Sequence, residues 1–463
     1  MSSPETRYRS RSLWLDGHPG SLEPRAALAA DASCDVAIVG GGFTGLWTAY
    51  YLATLQPDLR IVVLEREIAG FAASGRNGGW VSGFVAGDPA VYARAHGADA
   101  LLRAERETFS AVSEVGRVAQ LEQIDCGFAH EGSLSIAFSG PQLERLQASV
   151  ASKHGHGLGP EDVRMLDPGE LARLVRVPGA RGAAFSPHCA RIDPARLARG
   201  LADACERRGV TIYEQTEARE IGAGRVVCSS GTVSAPLVVR ATEAFTIEGP
   251  GEARRFLPLY SLMVATEPLS DGTWDELGWH RCHTISDAHH LFFYAQRTTD
   301  GRIAIGGRGA PYRLGSPIDP SHERNAGVRE RLVSAIREHF PAAAGAAITH
   351  HWGGPLAVPR DWSTGITFDR ARGLAFAGGY SGHGVVAANV SGRTLADLIL
   401  ERETELVTLP WVGHRARSWE PEPLRFLASR AIVSVLGSSD RYEDRTDRPA
   451  RRTRLVQPFV LGR

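Results

Sequence analysis

Apolar positions along this chain follow two rhythms, one of period two or unbroken and one of helical period, and the changes between them predict its elements. Val36, Ala37, Ile38 and Val39 form a short continuous apolar run ended by three glycines. Residues 46–55 then follow at helical spacing, and 61–64 are a second apolar run. Strand, glycine turn, helix and strand within about thirty residues predict one parallel βαβ unit. Residues 8–33 before it mix Trp, Pro, Gly and charges without a period, which predicts an arm over the first domain and no element. Helical spacing recurs over 98–121, 142–153, 196–208, 330–340 and 385–400. Strand-like runs occupy 133–138, 210–213, 226–228, 237–239, 256–266, 291–294, 302–305 and 374–377. Those between 256 and 305 are punctuated by Asp, Gly and Pro, as in an antiparallel sheet. The fold class expected is α/β, a Rossmann-type domain with a discontinuous second domain on an antiparallel or mixed sheet. Residues 1–97, 182–250 and 345–410 are assigned to the first domain, 98–181 and 251–344 to the second, and 411–463 to a C-terminal extension.

Composition narrows the function. A chain of 463 residues, 43% apolar, can bury enough surface for two domains. Lys plus Arg equals Asp plus Glu at 52 each, which gives no charge bias toward nucleic acid or an anionic membrane. Lys153 is the only lysine, so Schiff-base chemistry and pKa-tuned amines are nearly excluded. The six cysteines form no CxxC pair, and free thiols in a reducing cytoplasm are expected. No apolar stretch reaches the length of a membrane span, which with the polar N-terminus points to a cytoplasmic protein. His350 and His351, as strand neighbours, point to opposite faces, and no metal is expected. The apolar stretch 424–436 and the Arg-rich 445–454 read as a packed surface helix with a solvated end.

The chemistry sits in three segments. Gly40, Gly42 and Gly45 fit GxGxxG: the first turns the chain, the second admits a pyrophosphate, and the third lets helix and strand pack closely. Phe43 and Thr44 open a helix whose amides can bind phosphate, and Glu65, about twenty residues on, suits the two hydroxyls of an adenosine ribose. This segment alone does not separate FAD from NAD. The second, from Ala72 through Ala73, Ser74, Arg76, Asn77, Gly78 and Gly79 to Trp80, offers small residues and donors to a second long face of a cofactor, as an isoalloxazine requires. In the third, a strand end runs through Gly379, Tyr380, Gly382, His383 and Gly384 into a helix at Val385. Such a helix start can aim amides at the pyrimidine edge of a reduced flavin.

In this order and spacing the three segments resemble the D-amino-acid oxidase-like flavoproteins, nearest the gamma-glutamylputrescine oxidase-like branch. The resemblance extends to residues 238–246 and to Ile305-Gly306-Gly307-Arg308, and covers the chain from about Trp14 to Glu401. It implies FAD bound near the residues above and near Arg66, Ala218, Ala241 and Thr242. It also implies oxidation of an amine C–N bond by hydride transfer to flavin N5, with O2 or another acceptor restoring the flavin. The chain departs from the sarcosine oxidases of that family in four places. Ala304, Val386 and Gly78 stand where those enzymes carry a Lys beside the flavin, a second Lys and an Arg. No Cys lies near Leu356 for covalent attachment, so the FAD is expected to be non-covalent.

His383 and Arg308 are the catalytic candidates. His383 can orient or deprotonate the amine, or serve structure alone. Arg308 can bind a substrate anion or pair with a structural carboxylate. Trp80, Tyr260, Phe293, Tyr294 and Trp352 are candidates for the wall of an apolar or cationic substrate pocket. An NAD(P)H-dependent flavin hydroxylase and a non-catalytic flavin-binding protein are the competing readings.

Overall fold

The computed structural model describes residues 3–87, 89–307 and 312–460, the last four by backbone alone. Val36–Val39 and Ile61–Leu64, buried along their whole length, pair in parallel, and the helix Phe43–Leu55 connects them. Unbroken β-branched runs of this kind suit strands covered on both faces. They are the middle of a six-stranded sheet ordered Gly365–Asp369, Leu374–Gly378, Leu237–Arg240, Val36–Val39, Ile61–Leu64 and Thr211–Tyr213. Its Gly365–Asp369 edge is antiparallel and its other pairings are parallel. Helices Phe43–Leu55, Pro194–Arg207 and Gly384–Ile399 share one core with it. The helix Ala98–Leu121, grouped with the second domain by its place in the sequence, buries its apolar stripe in this same core.

The second sheet has eight strands, ordered Ile348–Val358, Leu257–Thr266, Ile303–Gly307, Phe293–Arg297, Thr284–Asp287, Ser133–Ala137, Gly182–Ser186 and Arg164–Leu166. It is mixed, because Thr284–Asp287 pairs in parallel with Ser133–Ala137 while its other pairings are antiparallel. Its far face packs on the helix Ala326–His339 around Trp279 and Phe340. The α/β class with a Rossmann-type half and a mixed-sheet half is therefore the observed architecture. Arg225–Cys228 belongs to a separate four-stranded sheet, while Leu237–Arg240 joins the six-stranded one.

The N-terminal arm is structured. Ser3 and Ser12 cap two short helices, Pro4–Arg9 and Leu13–Asp16, through side-chain oxygens that accept from Thr6 N and Leu15 N. Tyr8, Leu13, Trp14 and Leu15 are buried with Met263, Ala265, Ala304 and Trp352 of the second sheet. The arm thus wedges against the second sheet and also lies over the first domain, where Arg25 pairs with Asp203, Glu206 and Glu214 and Leu28 packs with Ala37 and Val39. The C-terminal extension contributes the helix Leu424–Thr446, held through Asp440, which accepts from His290 N and Leu291 N, and Glu443, paired with Arg145 at 2.7 Å. Among the described residues no helix is long and apolar enough to cross a membrane.

Candidate active site

A cavity of about 810 Å³ runs from the glycine turn after Val39 to the inner face of the second sheet. At its cofactor end the backbone makes the shape. Gly40 has φ +112°, and a Cβ there would meet the Ala241 carbonyl oxygen at 2.5 Å; at Gly45 a Cβ would meet the Gly40 oxygen at 2.0 Å. Neither position tolerates a side chain. Gly41 N donates to Glu65 Oε2 at 2.7 Å and Glu67 N to Oε1 at 2.9 Å, which fixes the carboxylate on the cavity wall. Burial raises its pKa to about 6, and the two amides oppose the shift. Ser74 Oγ accepts from Phe43 N at 2.8 Å, so the second segment seals the helix start of the first.

The third segment is tied to the other two. The Thr44 and Tyr380 hydroxyls lie 2.8 Å apart. Glu243, at φ +43°, accepts from Gly379 N at 3.1 Å and Tyr380 N at 3.3 Å. Burial pushes its carboxyl up to about 7 against those two bonds. Gly384 and Val385, the first residues of the helix Gly384–Ile399, lie on the cavity, and the helix has no side-chain N-cap bond. Two helix N-termini, of Phe43–Leu55 and Gly384–Ile399, therefore open on one cavity, a field suited to a ligand with two anionic edges.

The predicted cofactor residues Gly40, Gly42, Phe43, Thr44, Glu65, Arg66, Ala73, Ser74, Arg76, Asn77 and Gly78 line this cavity. So do Ala218, Ala241, Thr242, Tyr380, Gly382, His383, Gly384 and Val385. Gly45, Gly79 and Gly379 stand behind the wall and allow its turns. Arg66 pairs with Glu248 at 3.0 Å and Arg76 with Glu323 at 2.8 Å. Asn77 builds its own loop, donating to Ala73 O and Ser74 O and accepting from Gly79 N.

At the substrate end the shape is made by side chains. Trp80 and Tyr294 meet edge to face at 6.1 Å and both line the cavity, as does Phe84, 6.3 Å from the His383 ring. The other aromatic candidates lie elsewhere. Phe293 faces away from Tyr294 and stacks on His339, because strand neighbours alternate. Tyr260 packs in the far-face core and accepts from Asp319 N. Trp352 meets Trp14 and donates to Arg76 O at 2.9 Å, so it supports the second segment from behind. Arg308 lies outside the described residues. Ser82, Phe84, Ser135, Ser286, Asp287 and Phe292 line the cavity without having been singled out in the sequence.

Two of the departures, at Gly78 and Ala304, have structural counterparts. A Cβ at Gly78 would meet the Tyr294 ring at 2.6 Å, so the aromatic fills the space a side chain would need. Ala304 is fully buried beside Trp14, Met263 and Trp352, off the cavity, where a lysine would place its charge among rings. Lys153 comes near by another route, with Nζ 4.6 Å over the Phe84 ring. Burial lowers its pKa, which Glu105 opposes. The cysteines are free, and none of them is among the described lining residues. His290, Asp440 and Glu443 bring metal-type ligand atoms together, but the two carboxylates already accept from backbone amides.

Two adjoining helix starts, a glycine turn and a ribose-type acid on one cavity define a dinucleotide flavoprotein, and comparison with known proteins fixes the class. Residues 35–398 match the model of the FAD dependent oxidoreductase family, DAO, and the chain belongs to that family. It is 30% identical over 396 residues to gamma-glutamylputrescine oxidoreductase of Escherichia coli, which covers 84% of this chain and 89% of that one. It is 25% identical over 378 residues to glycine oxidase of Bacillus licheniformis, covering 79% and 93%. Among solved structures, glycine oxidase of Geobacillus kaustophilus superposes with a TM-score of 0.69 at 22% identity, covering 83% of this chain and all of that one. The L-alpha-glycerophosphate oxidase of Mycoplasma pneumoniae, with FAD bound, shares the fold at a TM-score of 0.63, 18% identity, and coverage of 80% and 95%. The protein is thus an FAD-dependent oxidoreductase, and the residues present fit the cofactor.

Proposed function

We propose that this enzyme oxidises the C–N bond of a primary or secondary amine to an imine, with FAD held non-covalently in the cavity and then restored by O2 or another acceptor. The observation that carries this reading is the continuity of one cavity from the Gly40–Glu65 turn to the aromatic wall of Trp80, Phe84 and Tyr294. FAD when bound supplies an acceptor for a hydride, that is, two electrons and one proton. The substrate carbon loses that hydride, the nitrogen loses a proton, and water hydrolyses the imine afterwards. The name of the Escherichia coli relative supports an amine as substrate.

Each task of the chain follows from placement. Backbone amides at the two helix starts and Glu65 hold the cofactor, and the aromatic wall orients the amine and excludes water. His383, on the cavity at the head of a helix, takes the amine proton so that the nitrogen lone pair is free. Since no described lining residue is a cysteine, acid or heat should release free FAD. The cytoplasm is the compartment that suits free thiols, of which Cys34 is pushed up to about 11 by burial. Anaerobic mixing of the yellow protein with a panel of amines tests the reading. Loss of flavin absorbance with amines supports it, and reduction by NADPH but not by any amine would assign a hydroxylase.

A further inference from the structure

The family match ends at residue 398, and the C-terminal extension beyond it has no task in the reading above. Its helix Leu424–Thr446 is held to the body along one side, where Arg425, Ser439, Asp440 and Glu443 are buried. Leu424, Leu427, Ala428 and Ala431, spaced i, i+3, i+4 and i+7, are exposed together on the other side. Leu424 is 59% and Leu427 58% exposed. About five turns further along the same stripe, Arg445 stands in line with Leu427, with Arg441 beside it.

The whole chain is balanced at 52 charges of each sign, but this surface is not. Residues 430–454 hold seven arginines and four acids. All four acids are tied to the body. Asp440 accepts from His290 N and Leu291 N, while Glu443 pairs with Arg145, Asp444 with His289 and Asp447 with Arg181. Among the described residues, Arg430, Arg441, Arg445, Arg448, Arg451 and Arg454 are exposed and pair with no carboxylate. The second C-terminal helix, Thr453–Val460, folds back on the first, and Arg452 donates to Ser438 O and Ser439 Oγ. Its Leu455 is left exposed.

We propose that this face docks the enzyme on an anionic lipid bilayer, the leucines entering the headgroup boundary and the arginines meeting lipid phosphates. Exposed leucines alone would suit any apolar partner. The guanidiniums without carboxylates select the surface, because each can pair with phosphate through two parallel hydrogen bonds and an anionic leaflet offers many phosphates in one plane. The helix lies on the surface and does not cross it, since no described helix is long and apolar enough to span. Asp440 ties it to residues 290 and 291, and Phe292 follows on the cavity wall, so docking sets the substrate end beside the bilayer.

Co-sedimentation of the FAD-loaded enzyme with vesicles tests this, comparing phosphatidylcholine alone with phosphatidylcholine mixed with phosphatidylglycerol. The mixed vesicles should bind about tenfold tighter or more, and about 1 M salt should release the enzyme as the Debye length shortens to about 3 Å. Arg441→Ser with Arg445→Ser should weaken binding about twenty-five-fold, at about fivefold for each arginine near the surface. Leu424→Ser with Leu427→Ser should weaken it about tenfold or more. Leu424, Leu427, Arg441 and Arg445 are exposed and off the cavity, so flavin content and anaerobic reduction by amine should stay at the wild-type level in both variants. Equal binding to the two vesicle types, including none to either, overturns the proposal, as does anionic binding that survives both double substitutions. A wild-type dimer that the leucine substitutions split, read by light scattering, together with no binding to vesicles, would assign the face to a second copy of this chain and overturn it too. None of these outcomes bears on amine oxidation, which flavin bleaching tests separately.

Discussion

The two ends of the cavity are built by different means. At the cofactor end the chain contributes mainly backbone: Gly40 and Gly45 exclude side chains, and the starts of Phe43–Leu55 and Gly384–Ile399 present amides. At the substrate end Trp80, Ser82, Phe84, Ser135, Ser286 and Tyr294 present side chains from segments remote in sequence. A dinucleotide is constant across a family, so a fixed backbone cradle suits it. A substrate varies, and a sheet face can change it one side chain at a time. Substitutions should therefore separate into those that lose the cofactor and those that alter the amine.

Gly45→Ala attacks the backbone end hardest. Its Cβ would overlap the Gly40 oxygen, and FAD affinity should fall about a thousandfold or more, the equivalent of about 4 kcal/mol. The purified variant should be colourless, and a yellow one would show that the turn is less constrained than its geometry. His383→Ala probes the junction. Anaerobic reduction by amine should slow by about a hundredfold, the lower range for a lost general base, and its pH profile should flatten. An unchanged profile would reduce His383 to a structural cap.

Glu65→Ala should weaken FAD binding by about 1 to 3 kcal/mol, because the ribose hydroxyls lose a charged acceptor and Gly41 N and Glu67 N lose theirs. Titration of apoprotein with FAD measures it, and an unchanged Kd would count against the ribose role. The smallest effect concerns Glu243. A buried carboxyl raised from about 4.5 to about 7 holds more protons folded than unfolded, so its contribution to stability is full below that window and is lost as pH rises through it. Urea midpoints of the apoprotein should show Glu243→Gln gaining on the wild type between pH 5 and pH 8. An equal difference at both pH values would place the Glu243 pKa outside that window.

What could be read in the sequence follows the same division. Gly40, Gly45 and Glu65 lie in one local βαβ unit whose periodicity and spacing identify each residue, and the turn from Tyr380 to Val385 announces itself by glycines before a helix. The substrate wall depends on which strand face turns inward, which periodicity alone leaves open. Of the neighbours Phe293 and Tyr294 only the second faces the cavity, Tyr260 lies on the far face, and Trp352 shares the inner face with Met263 but sits beyond the cavity against Trp14. Ser286 meets Ser135 on the wall because its strand pairs with Ser133–Ala137, a non-local choice that no local pattern records. In the arm, four- and six-residue helices are too short for a period to emerge.

The division itself is tested most directly by measuring both the FAD Kd and the anaerobic rate of reduction by amine over its apparent Kd in Glu65→Ala and Phe84→Ala, side by side with the wild type. The account predicts that Glu65→Ala moves the FAD Kd about 5- to 150-fold, with reduction by amine within about twofold of wild type once the variant is saturated with FAD. Phe84→Ala should do the reverse, lowering reduction by amine about tenfold while FAD binds within about twofold of wild type. Comparable losses of FAD affinity in both variants, or slower reduction by amine in FAD-saturated Glu65→Ala, would contradict it.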